Sequence, residues 1–274
     1  SDTNTENTPS SENTPSPEVA QQLSGSQSGG ADHPGNLLYA ANCSGCHDAA
    51  VNRAPHRLFL EMMAPDMMLQ VLNEGVMQQQ AKDLSAVQKA DIVEFLVGSD
   101  APESPFKPLW CKQGNMTFDF DQPPRLKNWG MTLDNRHFIS AEIASLAVDD
   151  IPGLALKWAF AYPGATRTRS QPAFAGGALM VGSQDGTVYS LDAESGCIRW
   201  TYRAGAEVRT GITLQPWDNE APNTQPMAYF ADLVAWVYAL DQVTGAEKWR
   251  IKVDEHPSAT VTGQPVYFDG VLYV

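Results

Sequence analysis

Cys43, Ser44, Gly45, Cys46 and His47 form one CxxCH. That spacing brings two thiols within reach of the two vinyl groups of a haem and puts an imidazole on the next residue to bind its iron. The chemistry implied is one-electron transfer. A bare CxxCH also fits half of a zinc or dithiol site, so the flanking residues have to decide. A six-coordinate electron-transfer iron needs a second ligand, and a soft thioether raises its potential. Met62, Met63, Met67, Met68 and Met77 all follow the histidine. Met77 comes after Asn73, Glu74 and Gly75, where a loop can turn a side chain back, and it is the expected ligand. Cys43, Cys46, His47 and Met77 are thus the expected cofactor-binding residues, with His47 and Met77 on the metal. The other methionines are expected to fill irregular apolar space beneath it.

These residues need elements to position them. Leu37, Leu38, Tyr39 and Ala40 predict a short apolar-faced helix running into the attachment loop, with Pro34 near its start. Ser85 and Gln88 have the spacing of a capping box. Val87, Ala90, Ile92, Val93 and Leu96 make a stripe, and Gly98 stops the helix. This stretch resembles the small c-type cytochromes. The resemblance implies an all-α domain over residues 33–99 holding one covalent haem c, with the last helix crossing the first so that Phe95 or Leu96 meets Tyr39. Arg53, Ala54 and Pro55 match the same pattern, which assigns the Pro55 carbonyl to the proximal histidine. So small an apolar core is expected to depend on its cofactor for folding.

Residues 1–32 read as a disordered polar tether, and the first thirty contain no Lys or Arg. No apolar signal region and no membrane-spanning run is visible. Covalent haem attachment takes place outside the bacterial cytoplasm. The expected location is therefore periplasmic or otherwise extracytoplasmic, with a leader removed or preceding Ser1, and the tether suits a processed lipoprotein. With 32 acidic and 18 basic residues the net charge is −14. Such a balance opposes nucleic acid and anionic membranes and steers a basic redox partner.

Over residues 100–150, Pro102, Pro105, Pro108, Pro123 and Pro124 alternate with Phe106, Trp110, Phe118, Phe120 and Trp129. This is an ordered crossing segment, too aromatic for a free linker. Beyond it the pattern is β. Strands are expected at 154–160, 178–182, 187–191 and 198–202, with Asp192 and Gly196 in the turn between the last two. The phrase from Val188 to Trp200 returns from Val237 to Trp249, 49 residues on. Short strands repeating near fifty residues mean propeller blades, each needing its neighbour to cover an apolar face. Asp192 and Asp241 hold repeated turn positions and read as structural, while the tryptophans pin one blade to the next. Residues 151–274 then hold two blades, and Gly263 to Tyr267 with Gly270 to Val274 begin a third.

The repeat resembles propellers that hold pyrroloquinoline quinone (PQQ). With the amino-terminal haem motif, Leu156-Lys157-Trp158-Ala159-Phe160, Val208-Arg209-Thr210 and Asp254-Glu255-His256, the chain resembles the cytochrome-containing, PQQ-dependent polyvinyl alcohol dehydrogenase family. The fold class implied is a small all-α cytochrome c domain followed by the first blades of a truncated all-β quinoprotein-type propeller. The function implied is oxidation of secondary hydroxyls by PQQ and calcium in the full-length enzyme. The haem then passes electrons to a soluble cytochrome or other periplasmic acceptor. Arg209 with Thr210, and then His256, are the candidates for reaching the quinone, and the catalytic base is unknown. The chain is expected to be an amino-terminal fragment that retains only the haem site. Cys111 and Cys197 remain after haem attachment and invite a disulfide between the crossing segment and the first blade, at a distance sequence does not set. The alternatives are a noncatalytic cytochrome-propeller scaffold and a quinohaemoprotein dehydrogenase for another alcohol or sugar.

Overall fold

The computed structural model describes residues 30, 32–49, 51, 54–98, 108–112, 116–125, 129–130, 137–163, 168–217, 225–256 and 258–274. The tether, apart from Gly30 and Asp32, lies outside the described residues, as do Arg53, Pro102, Pro105 and Phe106.

His33 opens α1 (Pro34–Asn42) by accepting the Gly35 N–H on Nδ1 at 3.0 Å, and Pro34 fills a first-turn position that needs no N–H. The chain turns at Cys43 into the one-turn α2 (Ser44–His47). After α3 (Arg57–Leu60) comes α4 (Pro65–Asn73), again with proline at its start. In α5 (Ala86–Val97) both halves of the capping box form. Gln88 N–H donates to Ser85 Oγ, and Ser85 N–H donates to the Gln88 side chain. Gly98, at φ 83°, ends it. Helices α1 and α5 cross closely because Gly35 has no side chain: a Cβ there would stand 2.0 Å from the Asp91 carbonyl oxygen. The crossing sets the Tyr39 and Phe95 ring centroids 5.8 Å apart. Met68, Leu72, Ile92 and Leu96 complete this small core.

Strands β1 (Ala173–Ala175), β2 (Ala178–Gly182), β3 (Thr187–Asp192) and β4 (Ile198–Arg203) form one antiparallel sheet in chain order. A second sheet repeats it with β5 (Thr213–Leu214), β6 (Met227–Ala231), β7 (Trp236–Asp241) and β8 (Glu247–Lys252). Strands β6, β7 and β8 each lie 49 residues beyond β2, β3 and β4. The register shift at Ser190/Leu191 recurs at Ala239/Leu240. β9 (Val266–Phe268) and β10 (Val271–Tyr273) make a separate hairpin. Met180, Trp200, Phe230 and Leu240 share one core with Phe118 of the crossing segment, so the two sheets pack as neighbouring blades. The described strands form two sheets and a hairpin without a closed ring.

One contact ties each unit to the next. Trp200 Nε1 donates to the Gln242 carbonyl at 3.1 Å, and its ring covers Gly245, where a Cβ would meet it at 2.6 Å. Trp158 does the same one unit earlier, donating to the Ala193 carbonyl at 3.0 Å and covering Gly196. Both glycines have φ near 73°, a left-handed conformation that suits glycine. Trp158 comes from the stretch expected as a strand at 154–160, and here the structure corrects the sequence. The stretch is extended, but no ladder partner lies beside it among the described residues. Its side chains still alternate, and Trp158, Phe160 and Tyr162 pack against Tyr189 and its neighbours. The turn aspartates are structural. Asp241 Oδ1 accepts the Val243 and Thr244 N–H groups at 3.0 Å each and faces Lys248 at 3.4 Å, while Asp192 faces Arg199 at 3.5 Å.

The crossing segment is stitched to the first sheet. Ile198 N–H donates to the Leu109 carbonyl at 2.7 Å, Cys111 N–H donates to Ile198 at 2.9 Å, and Cys111 pairs with Cys197 in a disulfide. Closing a loop with a sequence separation of 86 contributes on the order of 4 kcal/mol in the chain-entropy model. No helix among the described residues is long and apolar enough to cross a membrane.

Gly245→Ala should cost about 2–4 kcal/mol from left-handed strain and overpacking against Trp200. Gly263→Ala, where a Cβ meets nothing within 4 Å, should change stability little. Urea unfolding midpoints of the two variants check this.

Candidate functional site

A cavity of about 680 Å³ opens where the helical region meets the second sheet, and Cys43, Cys46, His47 and Met77 all line it. The turn from α1 into α2 explains the first three. Cys46 and His47 N–H groups both donate to the Cys43 carbonyl, at 3.1 and 3.0 Å, so one tight turn presents both sulfurs and the ring together. Cys46 is exposed, whereas Cys43 is half-buried. Burial pushes the Cys43 thiol above its ordinary pKa, and the Asp48 carboxylate adds to the effect.

His47 is 7% exposed, with Nδ1 2.7 Å from the Pro55 carbonyl oxygen. A carbonyl only accepts, so Nδ1 donates to it, and in the neutral ring the Nε2 lone pair is the one a metal would take. Below the site, the fully buried Tyr39 donates its hydroxyl to Asp48 at 2.8 Å, and burial holds that phenol well above its usual range. The Arg57 guanidinium stacks on the Tyr39 and Phe95 rings at 5.2 and 4.7 Å and pairs with Glu61 at 2.7 Å.

Met77 sits just past α4, its N–H donating to the Val71 carbonyl at 3.3 Å. Met63, Met67 and Met68 also line the cavity, but each has a structural role. The Met63 backbone bridges to that of Ala206, Met67 places its methyl against Gly205, and Met68 is 4% exposed in the helical core. Met62 does not reach the cavity lining.

The remaining wall belongs to the second sheet: Val234, Trp236, Arg250, Lys252 and Glu255. A buried hydrogen-bond chain holds the two halves together. Ala64 N–H donates to the Gly205 carbonyl at 2.9 Å, Gly205 N–H donates to the Tyr238 hydroxyl at 3.0 Å, and Tyr238 donates to Asp232 Oδ2 at 2.7 Å. Asp232 Oδ1 accepts the Val234 and Trp236 N–H groups at 3.0 Å each. Asp232 has no exposed surface, and desolvation raises its pKa against the pull of those hydrogen bonds. The sequence analysis missed this joint. The available signal was a difference between repeats, because Asp232 stands where the first unit has Ser183, and Trp236 where it has Thr187.

The cavity lies within the size range of cofactor pockets, is mostly apolar, and offers two free thiols, an imidazole and a thioether. That donor set fits a haem. The candidates for the quinone do not form a site. Arg209 is paired with Glu207 at 2.9 Å, the Thr210 hydroxyl is spent on the Ala231 backbone, and His256 is exposed on a turn where its ring accepts the Ser258 N–H. None of them lines the cavity, and no three His, Cys, Asp or Glu among the described residues converge to hold a metal.

Residues 30–96 match a family model described as cytochrome C oxidase, cbb3-type, subunit III, and residues 128–274 match one described as outer membrane protein assembly factor BamB. A polyvinylalcohol dehydrogenase from Pseudomonas sp is 32% identical over 256 residues, which are 88% of this chain and 39% of that protein. One from Sphingopyxis sp. (strain 113P3) is 31% identical over 256 residues, 88% of this chain and 38% of its own length. The chain thus spans about two fifths of the curated relatives it matches. Among solved structures, the quinohemoprotein alcohol dehydrogenase ADHIIG from Pseudomonas putida HK5 is 20% identical, covering 60% of this chain and 24% of that one, with a TM-score of 0.42.

Tyr238→Phe should leave the Gly205 N–H and Asp232 Oδ2 without their shared partner and cost about 2–4 kcal/mol in urea unfolding. A second expectation concerns pH. A carboxyl with a raised folded pKa contributes stability below its unfolded value of 3.8, and that contribution is lost as pH rises through the folded pKa. The stability difference should therefore move in favour of Asp232→Asn over that acid range, and parallel melting-temperature profiles would contradict it.

Proposed function

Because the chain belongs to the propeller family whose model is described as outer membrane protein assembly factor BamB, and is homologous to the quinoprotein alcohol dehydrogenases, we propose that its helical region is a haem c electron-transfer domain of an oxidoreductase. When bound, a haem supplies an iron that takes up and returns one electron at a time. Cys43 and Cys46 would hold it through thioether bonds, His47 through Nε2 and Met77 through its sulfur. The observation that carries this reading is the His47 ring, with Nδ1 held by Pro55 and Nε2 left free in a cavity lined by both thiols.

Each neighbouring residue has a part in that task. Pro55 fixes the tautomer and orientation of His47 and keeps the ring a good donor. Tyr39, Met68, Leu72 and Leu96 keep water from the inner wall. Dry surroundings disfavour the extra charge of an oxidised centre and so favour its reduced form. Met68 is buried in the helical core and Met67 lies against Gly205, while Met77 lines the cavity just past α4, where its sulfur would complete the iron's ligands.

In the longer protein, we place this domain beside a complete propeller that holds PQQ and calcium and oxidises secondary hydroxyls, with polyvinyl alcohol as substrate after the two matched dehydrogenases. Electrons then leave to a soluble cytochrome or other periplasmic acceptor, whose docking the net charge of −14 steers. An extracytoplasmic site is favoured by the Cys111–Cys197 disulfide, which persists where thiols are oxidised. The BamB-type match over residues 128–274 favours a second reading, in which the propeller is a noncatalytic scaffold for the haem domain.

The test is the visible spectrum of the reduced protein, produced with haem-maturation machinery. Sharp c-type bands that become high-spin in Met77→Ala are expected. Absence of covalent haem would remove the cytochrome reading, and unchanged low-spin bands in the variant would remove Met77 as ligand.

A further inference from the structure

Building on the haem reading, we propose that the second sheet is part of the haem site: Arg250 and Lys252 of β8 supply the positive charge that offsets the two carboxylates of the haem. Both line the cavity, and residues two apart on a strand share a face. Trp236 stands opposite Lys252 in the β7–β8 register and carries the Arg250 guanidinium 5.4 Å from its ring centroid.

The two repeats, compared position by position, isolate what is special here. In the first unit the position equivalent to Lys252 is Arg203, which is neutralised by Asp185 at 2.8 Å and bonded to Thr187 at 3.1 Å. In the second unit the cation is kept and its partners are gone. Val234 stands in place of Asp185, and Trp236 in place of Thr187. Lys252 forms no salt bridge among the described residues, and Arg250 has only a loose one to Glu247 at 3.9 Å. Arg250 itself replaces the neutral Thr201.

The carboxylates near these cations do not cancel them. Asp232 feels the Lys252 charge through space, but it is fully buried, desolvation outweighs that pull and raises its pKa, and it already accepts from Tyr238, Val234 and Trp236. Glu74 and Glu255, also on the lining, are exposed to water and screened. Arg250 is exposed and Lys252 half-buried, so water reaches both, but in a chain with only 18 basic residues against 32 acidic ones these two cations leave one wall of the cavity favourable to an anion. The dicarboxylate edge of a haem fixed to Cys43 and Cys46 from the helical side is such an anion. Positive charge close to the iron also stabilises its reduced state, so these residues raise the potential.

The test is a spectroelectrochemical titration of the holoprotein carrying Arg250→Gln, Lys252→Gln or both. Each single variant should lower the midpoint potential and the double variant should lower it most, with the c-type bands unchanged. Lys252→Arg, and Lys248→Gln on the Asp241 side of the same strand, should keep the wild-type value. A double variant with an unchanged potential would overturn the proposal, as would a Lys252→Arg shift equal to that of Lys252→Gln. Failure to attach haem in the parent protein is a separate outcome, which sinks the haem reading and this proposal with it.

Discussion

The helical region and the sheets meet at Gly205, and the meeting is governed by the rule that buried polar groups must be paired. Ala64 precedes α4 and is itself buried, and its N–H is satisfied across the joint by the Gly205 carbonyl. The Gly205 N–H is then answered by Tyr238, and Tyr238 by Asp232. A side chain at residue 205 would collide with Met67 at 2.8 Å and crowd Asp232 and Tyr238. The cavity wall formed by the second sheet depends on this joint, because the same turn from Asp232 to Trp236 carries Val234 and Trp236 into the lining.

The sheets follow a different logic. Each unit leaves one face uncovered, and an indole from the preceding unit closes it over a glycine turn. Trp249 occupies the same repeat position and is 39% exposed, against 7% for Trp200. Its ring lies 6.0 Å from Tyr229, which in turn stacks on Tyr267 of the hairpin at 5.6 Å. Repetition of this kind makes stability local, since each unit needs only its neighbour. It also frees positions that do not serve the clamp. Ser183, Asp185, Thr187 and Thr201 of the first unit became Asp232, Val234, Trp236 and Arg250 of the second, and all four replacements belong to the joint or the cavity wall.

Charge is distributed with the same economy. Arg199 and Lys248 neutralise the turn aspartates, Arg203 neutralises Asp185, and Arg57 serves as a stacking plate under Tyr39. Arg250 and Lys252 stand apart from this pattern because no carboxylate claims them closely.

Much of the chain could be read directly. The CxxCH, the capping box at Ser85, the glycine stop at Gly98 and the 49-residue repeat are local patterns, and local hydrogen bonding or periodicity is enough to impose each of them. The crossing of α5 over α1 was legible too, whereas the burial of α5 against Met68 and Leu72 of α4 came from the structure. What the sequence did not reveal depends on contacts distant along the chain. The stretch 154–160 has the alternation of a strand, but strand pairing requires a partner edge that composition cannot supply. The Cys111–Cys197 disulfide, invited by the two cysteines left over, is formed, but the approach that allows it rests on the crossing segment lying along β4. Thr210 looked available to a ligand because its side chain is polar, and the distant Ala231 backbone claims it, whereas Arg209 and His256 are taken by Glu207 and Ser258 only two residues away. Sequence by itself determined which groups could hold a haem and how the blades repeat, because both are encoded by spacing. Tertiary structure alone decided that a blade completes the cavity beside the cysteines, because that wall is built by residues some two hundred positions away.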